Sequence, residues 1–422
     1  MLSKRALWVF GAVLIIALAF VVSCAAPTPQ VVEKQVPVEV TKVVEKVVEK
    51  PVEKVVEKPV EVVVTATPAP RPTRITFVDT NSGANFQQYF QTSVLPAVKE
   101  DLGLEMDYVV SKGSEVIERM KAWEPGKGDF HVLFVKPADI ANMVEQDIPL
   151  ETLYPDKLDV ISNLKKVRED YLTTAQGVDI QGKGALYWRS QYALVYDTTK
   201  ISDPPKSWKE FYDRRAEWKG KIGLIRPDSK SSSGRAQPYA FLNAFGVDMS
   251  KPIEELEKTK EWEDAWTKME DFYTYATLPL AAEPPNMFEN FNAGDTWITV
   301  YAMDYTLWSA RQGTMPPTIK AAFLEEGVPE GADGYLVVPA NIPEEYKPVA
   351  YELINYLLSD NQQIRLVTTM WQYPGTEIWD QIPGIVWENI PPWDVAEKSR
   401  LRITNKGVVD YITENGPTLL AK

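Results

Sequence analysis

The chain of 422 residues holds one cysteine and one histidine. A single thiol cannot close a disulfide within the chain, so the fold must stand on burial alone. Any Ser-His or Cys-His nucleophile pair would have to use His131, and most metal sites need several such ligands together. His131 lies in the apolar run DFHVLFV, where a core or edge position in a strand is a better reading than catalysis. Positive charge is also in deficit. Lys and Arg number 45 against 59 Asp and Glu, a net charge of −14. Nucleic acid is thereby excluded as a partner, since phosphate recognition needs clustered cations. No cofactor is implied.

What is present begins with the surroundings of that one thiol. Met1 to Arg5 is positively charged, and Ala6 to Val22 carries neither charge nor proline. Such a start reads as a secretory signal, with an uncleaved membrane helix as the alternative, since the run reaches the spanning minimum of about 17 residues. The residues Val21-Val22-Ser23-Cys24 resemble a bacterial lipobox, an aliphatic and a small residue leading to cysteine. That resemblance implies cleavage before Cys24 and a diacylglycerol on its sulfur. The expected site is the outer face of the cell membrane.

Val31 to Val64 repeats Val, Glu and Lys with a period near four, interrupted by Pro37, Pro51 and Pro59. A four-residue period drifts around a helix, so no coiled-coil seam forms, and the prolines break any helix. Without aromatic residues it has nothing to build a core from. Together with the proline-rich TATPAPRPT it reads as an extended tether, able to reach about 150 Å at ~3.1 Å per residue.

The remaining part, about 350 residues, is long enough for two domains. ITFVDT, LEMDYVV and DFHVLFV are short apolar strands, each followed by a helical pattern. That alternation predicts βαβ units on a parallel sheet. Ligands of such sheets sit beyond the carboxyl ends of the strands, which points to the loops TNSGAN, SKGS and KPAD, and in them to Asn81, Ser82, Ser111 and Lys136.

Further on, LVYD, PPKSW, WKGKIGL and the loop SKSSSGR follow one another, and FNAGDTWITVYAMD and GADGYLVVPANIPEEY come later. In this order and spacing the chain resembles the extracellular solute-binding proteins of ABC importers, of the class that groups iron, polyamine and thiamine binders. The resemblance implies an α/β fold of two lobes joined by hinge strands, the type II periplasmic-binding-protein fold. It implies a small-molecule solute as ligand, an ABC permease and its ATPase as partners, a monomer, and no catalysis. The organisation expected is a signal peptide at 1–23 and a lipid-anchored linker at 24–73. Residues 74–192 and 304–422 form the first lobe, and 193–303 the second. The chain crosses between lobes at SQYA and MDYT, and the Trp- and Pro-rich stretch after Gln381 caps one lobe.

By the same resemblance, Ser232, Ser233, Gly234 and Arg235 lie where the family contacts its ligand, although serines before a helix are also ordinary N-caps. Trp188, Arg189, Asp304, Tyr305 and Trp308 stand at the two crossings. Asp304 with the tryptophans suits a polyamine, and Arg235 with the serines suits an acid such as a carboxylate, phosphonate or sulfate. The two features agree only for a zwitterion; a polyamine or another small charged organic solute is the favoured ligand. Ferric iron is disfavoured, because no adjacent tyrosine pair is present. A surface receptor or adhesion module and a lipid-anchored glycan-active enzyme with paired carboxylates remain as alternative classes.

Overall fold

The computed structural model describes residues 70–229 and 231–420. The signal peptide, Cys24 and almost all of the tether lie outside the described residues. The strands that organise the fold are, in chain order, β1 (Arg74–Asp79), β2 (Glu105–Val110), β3 (Val132–Val135), β4 (Ala185–Arg189) and β5 (Tyr192–Asp197). They continue with β6 (Ile222–Gly223), β7 (Ile298–Ala302), β8 (Ile319–Ala322), β9 (Gly334–Val337) and β10 (Tyr373–Pro374).

Two sheets result. The first has the order β10-β4-β9-β3-β1-β2, with β1 parallel to β2 and β3, and β9 antiparallel to β3 and β4. Its central strand reads VLFV and is buried along its whole length, as expected of a strand covered by helices on both faces. Phe77, Phe90 and Phe134 meet here with ring centroids 5.4–6.4 Å apart. The second sheet has the order β8-β5-β7-β6, and its core is equally aromatic, with Trp208 and Phe211 packed on Phe241 and Phe272. Each fully buried large side chain of this kind stabilises by about 1.5–3 kcal/mol, so each sheet with its helices forms a core of its own.

The first passage between sheets is at Ser190–Gln191, between β4 and β5. The second differs from expectation. Met303–Asp304 do not return the chain to the first sheet. They open a helix, Met303–Arg311, and then β8 pairs antiparallel with β5 from Ile319–Asp197 to Ala322–Leu194. Met315, Ile319, Leu324 and Val328 pack in the second core. The chain crosses only at Glu330–Asp333, where Glu330 bridges to Gln191 and the Gly331 amide donates to the Ser190 carbonyl at 2.9 Å.

The terminal stretch is likewise no cap on one lobe. Ile382, Val386, Ile390 and Trp393 pack with Ala193, Met303 and Tyr373 beside the crossings. Arg400–Leu401 then pairs with Val328–Pro329, making a third segment at the hinge. The last helix, Lys406–Asn415, joins the second core through Val408 and Ile412, with Tyr411 edge-on to Trp262 at 5.1 Å. Its apolar face needs cover, and the second core supplies it.

Candidate functional site

A cleft of about 870 Å³ lies at the carboxyl ends of β1, β2 and β3, walled on the other side by the second sheet's helices. The helices that start on it explain its chemistry. They are α1 (Ala84–Tyr89), α2 (Gly113–Lys121), α3 (Pro137–Glu145), α4 (Ser233–Ala244), α5 (Pro284–Ala293) and α6 (Met303–Arg311). Their N-cap residues, Gly83, Lys112, Lys136, Ser232, Glu283 and Ala302, all line the cleft. Helix amino ends carry unpaired N–H groups and partial positive charge, so the cleft as a whole favours anionic groups.

Some of that potential is used internally. Asp139 reaches over the start of α2, where a Cβ on Gly113 would lie 2.2 Å from its Oδ1. It accepts the Thr80 hydroxyl at 2.8 Å, and burial raises its pKa while Lys136 opposes the rise. Glu283 and Asn286 form a capping box on α5. Asp79 ends β1 and accepts the amides of Asn81 and Ser82, both at 2.8 Å, which fixes the loop leading into α1.

Most of the expected residues meet in this cleft. Asn81, Ser82, Ser111 and Lys136 line it from the first sheet, and Ser232, Ser233 and Arg235 from the second. Trp188, Asp304 and Tyr305 stand between them. Trp188 packs on Phe86 and Phe134 at 4.5 Å and donates to the Ala332 carbonyl at 3.0 Å. Gly334 makes room for both the Phe134 and Trp188 rings, since a Cβ there would come within 2.3 Å of the first and 2.9 Å of Trp188 Nε1.

Three expected residues do not line the cleft. Arg189 follows Trp188 in a strand and therefore faces the opposite side. Its side chain is fully buried, pairs with Glu377, donates to the Pro374 carbonyl at 2.7 Å, and lies near the rings of Tyr171, Trp379 and Trp393. Gly234 is a packing residue, because a Cβ there would sit 2.1 Å from the Arg226 carbonyl oxygen. Trp308, one helical turn after Asp304, donates to the Thr369 carbonyl at 3.2 Å. His131 serves structure: its Nδ1 accepts the Thr76 amide at 2.9 Å and its ring stacks on Tyr346 at 4.0 Å.

The serine loop is tied down as well. Ser231 Oγ accepts the Ser233 amide, and the Tyr192 hydroxyl donates to Ser233 Oγ at 2.7 Å. Sequence reading missed Tyr192, Tyr301, Glu283 and Gln372 among the lining residues. Only Glu283 carried a local signal: EPP before an apolar helix is an N-cap pattern with proline at the first turn.

Two ionisable groups on the cleft form no ion pair among the described residues, although Glu283 acts on one of them, Arg235, from farther off. Arg235 donates to the Ser229 carbonyl, forms no ion pair among the described residues, and burial pulls its pKa down. Asp304 is fully buried, and burial pushes its pKa up to about 7.

The family model for bacterial extracellular solute-binding proteins matches residues 96–378, well over half of the chain. The chain belongs to this family. Solute-binding proteins of this family act outside the cell and deliver small molecules to an ABC permease. Among curated proteins no sequence matches significantly. Solved structures agree on the fold. A spermidine/putrescine ABC-transporter substrate-binding protein from Streptococcus pneumoniae is 13% identical, with a TM-score of 0.63 over 83% of this chain and all of its own 100%. An iron-bound protein from Pseudomonas aeruginosa is 13% identical, with a TM-score of 0.59 over 82% of this chain and 99% of that one. A solute-binding protein from Thermotoga lettingae, bound to α-D-tagatose, is 14% identical, with a TM-score of 0.65 over 83% and 94%. The ligands of these three differ widely, so the solute-binding protein described here shares their two-lobe architecture and must be read for its own ligand. No helix among its described residues is long and apolar enough to cross a membrane.

Proposed function

We propose that this solute-binding protein captures a small organic solute bearing an acidic group, passes it unchanged to an ABC permease, and is held at the membrane by a lipid on Cys24. The observation that carries the reading is Arg235, a half-buried guanidinium on the cleft that forms no ion pair among the described residues, with Glu283 acting on it only from beyond ion-pair distance. An uncompensated buried charge is costly, and an acid group of the solute would relieve the cost. Lys136, also on the cleft and also without an ion pair among the described residues, adds to the same potential. A polyamine would set its ammonium groups against both cations, so the favoured ligand moves from a polyamine to an acid.

The test is a thermal-shift screen of the full chain, in detergent, against carboxylates, phosphonates, sulfonates, sugars, polyamines and ferric iron. A solute at about 100 times its Kd stabilises the folded state by about 2.7 kcal/mol. The acid that shifts the melting temperature should bind about 10- to 100-fold more weakly to Arg235→Met, the loss expected for one charge-assisted hydrogen-bonded contact. A shift with polyamines alone would overturn the reading.

Anchoring is tested separately. Cys24→Ala, expressed in a bacterium with lipoprotein processing, should leave the membrane-bound lipoprotein pool and lose incorporation of labelled fatty acid. Labelling equal to wild type would remove the anchor from the proposal.

A further inference from the structure

Asp304 is the acidic counterpart of the problem that Arg235 poses. It closes the cleft at the second residue of α6, where the chain leaves β7. One carboxyl oxygen accepts the Tyr305 amide at 2.8 Å and the Ser190 hydroxyl at 3.4 Å. The other, Oδ2, is buried and has no donor in hydrogen-bond geometry, although the Gln191 amide lies close enough to stabilise the carboxylate. No Lys or Arg of the described residues pairs with it. Arg400, the buried guanidinium of the hinge, is committed to Glu330 and Asp333. The titratable groups facing Asp304 are Asp333 and the phenols of Tyr192, Tyr301 and Tyr373, and none of them supplies a cation.

A buried acceptor without a donor is rare in native proteins and asks for an explanation. Asp304 is also a wall residue of the cleft, so a donor on the solute can supply what the protein does not once the side chain turns towards it. The wall beside Asp304 suits an alkylammonium group: Phe86 lies 4.5 Å from Trp188 and 6.3 Å from Tyr305, and all three rings line the cleft. Tyr192 links the acid to the base: it pairs with Ala302, two residues before Asp304, and its hydroxyl donates to Ser233 Oγ at 2.7 Å, two residues before Arg235.

We propose that the solute is a short zwitterion, with its ammonium group on Asp304 Oδ2 and its acid group on Arg235. This rests on the reading of the cleft as a solute site and adds the second half of the ligand. Asn85, whose buried amide has neither its Nδ2 nor its Oδ1 paired, offers one more donor and one more acceptor on the same cleft.

The experiment is calorimetric titration of the full chain at pH 6, in two buffers of different ionisation enthalpy. The probes are 4-aminobutanoate, 2-aminoethylphosphonate and taurine, each beside its analogue without the amine (butanoate, ethylphosphonate, ethanesulfonate), together with putrescine. At least one zwitterion should bind at least about 30-fold more tightly than its amine-free analogue, as for a lost charge-assisted contact. Binding should release a proton, because an ammonium group at Oδ2 favours the ionised carboxylate. Asp304→Asn should lose both the preference and the proton release, and proton release by the wild type decides alone if that variant does not fold.

An amine-free acid that binds as well as its zwitterion, with proton uptake, would overturn the proposal and leave the acid-binding reading standing. Putrescine binding alone would overturn both. No binding by any probe at about 10 mM, weaker than any useful affinity, would overturn the zwitterion and leave solute capture to the wider screen.

Discussion

Replacing Arg400 by methionine is expected to destabilise the protein by about 3–5 kcal/mol, the usual cost of removing one partner from a buried ion pair. Its side chain is 2% exposed and touches all three segments that pass between the lobes. It donates to the Ser190 carbonyl at 2.6 Å and to Gln191 Oε1 at 3.1 Å on the first. It pairs with Glu330 and Asp333 on the second, and itself belongs to the third. Without it, two carboxylates stay buried at the hinge with only Arg402, 3.7 Å from Glu330, to oppose them. Burial already pushes the Glu330 pKa up against the pull of Arg400. Thermal unfolding of the variant should show a melting temperature several degrees lower, and the double variant Arg400→Met with Asp333→Asn should recover part of the loss. A melting temperature within about one degree of wild type would mean that the cluster does not hold the hinge.

That cluster could not be read from the sequence. Ser190, Glu330 and Arg400 are far apart along the chain, and no local pattern joins them. The first sheet was legible for the opposite reason. β1 and β3 are apolar and β2 is an edge strand with alternating acids, each with its helix directly behind, so their carboxyl ends, and with them Asn81, Ser82, Ser111 and Lys136, follow from the parallel βαβ rule. The second crossing was misplaced because β8, IKAA, is short and weakly apolar and takes its place by pairing with β5. Trp188 and Arg189 show the limit of reading by neighbourhood. They are adjacent in sequence, but the strand turns one to the cleft and the other to Glu377, 188 residues away. Arg235 and Asp304 were found by type and position, and what neither position revealed was that neither forms an ion pair among the described residues.

That lack has a consequence for stability. Asp304→Asn is expected to stabilise the solute-free protein at pH 8 by up to about 4 kcal/mol and to change it little at pH 4. The carboxyl pKa is 3.8 in an ordinary setting and about 7 in the folded protein. Below pH 4 both folded and unfolded states hold the proton, and the buried acid is neutral at no cost. As the pH rises towards 7 the unfolded chain releases the proton while the folded one keeps it, so stability falls by about 1.4 kcal/mol per pH unit. Above pH 7 the folded carboxyl group ionises too, and the full cost remains. Asparagine has no such titration, and its oxygen can still accept from Tyr305 and Ser190. Melting temperatures of both proteins at pH 5 and pH 8, without solute, read the effect directly; an unchanged difference between the two pH values would show that Asp304 does not titrate in this range. With a zwitterion bound at pH 8 the order should invert, since the ammonium group that stabilises Asp304 gains nothing from asparagine. A residue that weakens the empty protein and strengthens the loaded one belongs to the ligand's site more than to the core around it.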